Sequence, residues 1–167
     1  GFVLTELAAV VDTLRIANRV SAQPPFSWAY RSSKGGPIAS SSLAYVESEP
    51  FSDKPNADYV FVIGNSDQAN PHLSLGSEIA AYTYRNAQVF LLAEAASRYI
   101  KDRGEHAVGL TTHWENSAVL REKDGLYDAE YAIASEDGLV VTCAGMGTTL
   151  DVALSVIGRH IPSAAKM

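Results

Sequence analysis

The sequence predicts a three-layer α/β sandwich, a mostly parallel sheet held between helices on both faces. Three observations carry this. The apolar runs at residues 58–65 and 88–92 are continuous, which is how strands covered on both faces of a parallel sheet read. Helical periodicity fills the intervals around them, giving the alternation of such folds. The length of 167 residues and the 47% hydrophobic content suit one domain able to bury a sizeable core.

The elements follow in order. Leu4, Leu7, Val11 and Leu14 recur at helical spacing. Glu6 and Asp12 come early and Arg15 and Arg19 late, as the helix dipole favours, so a helix is expected over about residues 5–20. After Pro24 and Pro25, residues 26–30 alternate as a strand. The turn signal at Lys34, Gly35, Gly36 and Pro37 separates them from a second extended piece ending near Val46. The run at 58–65 closes on Gly64 and Asn65. A helix is expected over 75–86, a buried strand over 88–92, and a helix over 94–103 that Gly104 stops. Thr112, His113, Trp114 and Glu115 have the form of a capping box. Segments 131–135 and 139–143 flank Glu136, Asp137 and Gly138 as a hairpin. Gly145, Met146 and Gly147 read as a close-packing turn. The last helix, 148–160, has an apolar face assigned to Leu150, Ala153, Leu154 and Ile157.

Charge and composition narrow the function. A formal net charge of −6 with no Lys or Arg cluster gives this chain by itself nothing to hold a phosphate backbone. The single cysteine, Cys143, forms no internal disulfide and builds no thiolate zinc site. This fits a reducing cytoplasm, and its place at the end of a buried strand makes packing its expected role. His72, His106, His113 and His160 match no zinc spacing, so neither metal nor cofactor is expected. No apolar run reaches the ~20 residues that cross a bilayer, and no basic-then-apolar leader is visible, so a cytoplasmic protein without membrane contact is expected. Residues 1–161 read as one domain, lacking the buried first strand that usually opens this pattern. Residues 162–167 read as the start of a linker, because Pro162 stops the helix and small residues follow.

Ligands on such sheets bind outside the carboxyl ends of the strands. Gly64, Asn65, Ala93, Glu94 and the turn at 111–114 all fall at such ends. Many α/β enzymes hold a nucleophile at a strand-to-helix turn like the one at position 93, because the side chain stands against helix amide groups. Alanine offers no lone pair and no transferable proton, which points to binding rather than catalysis. His113 suits a ligand contact or a residual base, and equally a histidine held by the capping turn. Trp114 suits an aromatic wall for a cationic ligand, or a core position. Glu94 suits a positively charged ligand group, or simply a helix start.

Residues 2–18, 33–41, 58–65, 90–114 and 142–151 resemble the amino-terminal ThiJ/PfpI domain of GlxA-type, AraC-family bacterial transcription regulators, within the class I glutamine amidotransferase-like superfamily. The more specific strings are Leu14-Arg15-Ile16-Ala17-Asn18 and Thr111-Thr112-His113-Trp114-Glu115. The resemblance implies a flavodoxin-like sandwich that senses an effector and forms a homodimer, with a strand ahead of Gly1. It also implies DNA binding only through a helix-turn-helix domain beyond Met167. Relatives respond to small nitrogen-containing metabolites, so an amine or zwitterion is the implied effector. Where the family's enzymes carry Cys-Thr-Gly at the elbow, this chain has Ala93, Glu94 and Ala95. Glu6 falls where some of those enzymes place the acid that works with the cysteine. The candidate ligand contacts are therefore Glu6, Gly64, Asn65, Ala93, Glu94, His113 and Trp114, with no catalytic residue. Two alternatives remain: a hydratase or hydrolase of the same superfamily, with Cys143 as its only thiol, or a domain that binds no ligand and only dimerises.

Overall fold

The computed structural model describes residues 1–65, 75–104, 110 and 134–161. Along the chain these form α1 (Leu4–Val20), β1 (Arg31–Ser32), β2 (Gly36–Ala39), β3 (Tyr45–Pro50), β4 (Tyr59–Val62), α2 (Gly76–Thr83), β5 (Gln88–Leu92), α3 (Glu94–Arg103), β6 (Ala134–Asp137), β7 (Val140–Cys143) and α4 (Met146–His160). The main sheet has the order β4-β5-β7-β6, in which β4, β5 and β7 are parallel and β6 is an antiparallel edge.

Strand β5 shows why its sequence is apolar from Val89 to Leu92. Successive side chains leave a strand on opposite faces, and here both faces are covered. Phe90 and Leu92 join Val141 and Cys143 against Val10, Leu14 and Ala17 of α1 and Val152, Val156 and Ile157 of α4. Val89 and Leu91 join Val140 on the other face, under Ala95 and Ala96 of α3, with Ile79 of α2 alongside. The result is the three-layer α/β/α sandwich with a mostly parallel sheet that the periodicity predicts.

A second sheet, β1-β3-β2, lies beyond β4. Among the described residues Phe2 bridges the two systems, pairing with Ser40 beside β2 and with Asn65 beyond β4. Among the described residues β4 pairs only with β5; its side chains pack on both faces, Tyr59 and Phe61 on one and Val60 and Val62 on the other, but all four are only half-buried.

Several other expectations need correction. Residues 26–30 lie outside any strand: at one end the Asn18 side chain takes up the Phe26 backbone groups, and at the other the Tyr30 carbonyl accepts from Glu49 of β3, leading into β1. Asn18 Nδ2 donates to the Phe26 carbonyl at 2.7 Å, and the Phe26 N–H donates to Asn18 Oδ1 at 3.0 Å. The piece ending near Val46 is a hairpin of β2 and β3, turning at Leu43 with φ 64°. The later hairpin turns at Gly138 and Leu139, with Glu136 and Asp137 inside β6. Helix α4 starts at Met146 and buries Val152, Ala153, Val156 and Ile157, whereas Leu150 and Leu154 are 47% and 49% exposed. Gly147 does not serve close packing, since an added Cβ would meet nothing within 4 Å. The capping box at 112–115 lies outside the described residues.

Candidate functional site

Four elements converge at the carboxyl ends of the parallel strands. The first is the start of α1. Glu6 sits on the same helical stripe as Val10, Leu14 and Ala17 and is wholly buried. A carboxyl group in that position needs a donor, and the backbone supplies one: the Gly64 N–H, just past β4, donates to Glu6 Oε2 at 2.7 Å. The Val3 N–H in turn donates to the Gly64 carbonyl at 2.9 Å, fixing the start of α1 to the end of β4.

The second contribution is the elbow between β5 and α3. Ala93 is 2% exposed and has φ 41° and ψ −106°, a backbone conformation that a residue with a Cβ adopts only under strain. That turn swings Glu94 back over the strand ends. A Cβ built on Gly64 would lie 2.8 Å from Glu94 Oε2, 3.0 Å from Glu6 Oε2 and 3.3 Å from the Leu92 carbonyl oxygen. Any larger residue there would make one or both carboxyl groups shift.

Electrostatics follow from this crowding. Burial pushes the Glu6 carboxyl up from 4.5 to about 7; the Gly64 hydrogen bond opposes the rise and Glu94 adds to it. The Cys143 thiol, at the end of β7, is pushed up to about 12, chiefly by burial and further by the Glu6 charge. A wholly buried thiol in that state is a poor nucleophile. Asn65 is exposed at the rim, and its Oδ1 accepts from the Gly1 nitrogen at 3.4 Å. An open groove of about 1130 Å³ beside β4 reaches both Asn65 and Glu94. Among the described residues no His, Cys, Asp and Glu group is suited to hold a metal.

Of the candidate contacts, the structure brings together Glu6, Gly64, Asn65, Ala93 and Glu94, while His113 and Trp114 lie outside the described residues. Two features escape the sequence reading. One is the pairing of Phe2 and Val3 with Asn65 and Gly64, which looks in the sequence like a lead-in to α1. The other is the effect of Glu6 on Cys143, whose only sequence signal is a cysteine at the end of a parallel strand.

The described residues thus set a strained strand-to-helix turn at Ala93 and a buried helix-borne carboxyl group, Glu6, at the ends of a parallel sheet. The fold is that of the DJ-1/ThiJ/PfpI proteins. An AraC family transcriptional regulator from Pseudomonas putida superposes with a TM-score of 0.76 at 17% identity, over 98% of this chain and 89% of that one. A ThiJ/PfpI domain protein from Brachyspira murdochii gives 0.71 at 13% identity, over 95% and 89% of the two chains. A DJ-1 superfamily protein from Agrobacterium tumefaciens gives 0.68 at 19% identity, over 98% and 88%. No family model matches the sequence, and no curated protein matches it.

Proposed function

We propose that this chain is the non-catalytic, effector-sensing and dimerising domain of an AraC-family transcription regulator, and that its effector is a small nitrogen-containing metabolite held at the elbow. The observation that carries the reading is Ala93. The elbow keeps its strained geometry, yet the side chain there has no atom able to attack. Binding then acts by population shift: the metabolite favours one arrangement of the dimer and so alters the spacing of attached DNA-binding domains. Residues 1–161 form the sensing domain in this reading. In the same reading, 162–167 begin the linker.

The enzyme alternative has less support. Its only thiol, Cys143, is wholly buried and pushed up to about 12. The likeness to DJ-1 superfamily proteins is a likeness of fold and lends that alternative no nucleophile.

Thermal denaturation against a panel of amines, amino acids and betaines tests the proposal. A ligand that binds only the folded state at a hundredfold excess over its Kd adds roughly 2.7 kcal/mol, on the order of 5–10 °C for a domain of this size. If no compound in a broad metabolite panel moves the transition, the domain is a dimeriser and the sensing role is wrong.

A further inference from the structure

Among the described residues three buried side-chain oxygens have no hydrogen-bond partner, and two of them, Glu6 Oε1 and Glu94 Oε2, belong to this one cluster. Glu6 has none of its surface exposed, and Glu94 is half-buried. Buried carboxyl oxygens without donors cost on the order of 1–3 kcal/mol each, more when charged. Below about 7 the Glu6 carboxyl carries an O–H donor of its own, so the demand is sharpest once Glu6 is ionised: what then relieves both oxygens supplies at least two N–H or O–H groups. Charge narrows the class further. Two acids converge here, and no cation among the described residues acts on Glu6. Among the described residues, the titratable groups that face it are Glu94 from α3 and the neutral Cys143 thiol from β7, and the end of β4 contributes the Gly64 N–H.

The geometry points to a cation that bears N–H donors, an ammonium or amidinium head, seated between Glu6 and Glu94 and taken up in exchange for one carboxyl proton. This rests on the reading of the elbow as a ligand site and sharpens it by excluding a class. A quaternary ammonium carries the charge but no N–H, so it would leave both carboxyl oxygens as unpaired as they are without it. The proton exchange follows from Glu6 being held near 7: a cation prefers the ionised carboxylate, and below that pH it must first displace a proton.

The Gly64 amide, bonded directly to Glu6, is a reporter inside the site. Its ¹H–¹⁵N resonance would be followed while methylammonium or methylguanidinium is added at pH 8, with tetramethylammonium at equal ionic strength as the contrast. Saturable movement with the two N–H cations alone is the expected result. Their apparent Kd should rise about tenfold per pH unit below about 7. Glu6→Gln, which keeps the side-chain shape, should weaken binding at least tenfold and abolish the pH dependence; Glu94→Gln should also weaken it. Equal responses to all three cations, no response to any of them, or unchanged binding in Glu6→Gln would each overturn the assignment. Failure here is separable from failure of the sensing reading. A neutral metabolite that raises the melting temperature while Gly64 ignores the N–H cations would sink this assignment and leave sensing intact.

Discussion

Glu6 is the residue whose surroundings make the sharpest demand. Its ordinary 4.5 is raised to about 7, so the folded chain holds the proton more tightly than the unfolded one. The stability linked to that proton is fully present below pH 4.5 and is lost as pH rises through about 7. Relative to wild type, Glu6→Gln should therefore gain about 3 kcal/mol between pH 4.5 and 8, measured by urea denaturation at both ends of that range. A difference that stays flat with pH would show that Glu6 titrates as an ordinary surface acid. Ala93 makes the complementary case. Its φ of 41° with ψ −106° costs a non-glycine residue roughly 1–3 kcal/mol, so Ala93→Gly should raise stability by about 1 kcal/mol after the entropy that glycine loses on folding. Gly64→Ala should do the opposite and also abolish ligand-induced stabilisation, since its Cβ would crowd both carboxyl groups.

At the scale of elements, what was legible depended on whether a pattern had one solution or several. The run Gln88 to Leu92 admits only a strand with two covered faces, and it is one. Gly104 ends α3 with φ 53°, and Gly138 turns the late hairpin with φ 61°, as glycine after an amphipathic stretch or between two strands implies. Helices α1 and α4 were harder, because each carries more apolar residues than its buried face uses. Leu4, Leu7, Val11 and Leu14 make a plausible stripe, but the buried one is Glu6, Val10, Leu14 and Ala17. The carboxyl group in that stripe is what hid it. In α4 the stripe through Val152 and Val156 was chosen over the one through Leu150 and Leu154, which periodicity alone could not rank. The same substitution at a buried and at an exposed leucine makes the contrast measurable. Leu91→Ala should cost about 2–5 kcal/mol, whereas Leu154→Ala should stay within about 0.5.

For the whole molecule, the alternation of strands and helices announced the sandwich and placed Gly64, Asn65, Ala93 and Glu94 at strand ends before any coordinate was needed. The convergence itself was not legible. It depends on α1 delivering Glu6 to a backbone N–H at Gly64, 58 positions away, through the pinning of Phe2 and Val3. Nothing in local propensity encodes a contact of that separation. The proposed account rests on these three scales together: Ala93 at the turn, the buried Glu6 and nearby Glu94, and the DJ-1/ThiJ/PfpI fold.

That account is tested most directly by the fate of the ligand. The metabolite that most raises the melting temperature should be incubated with the purified chain and then quantified by mass spectrometry. We expect it to be recovered chemically intact, in an amount equal to what was added. Consumption over many turnovers, persisting after repurification and lost in a Cys143→Ala variant, would make this chain an enzyme and contradict the account.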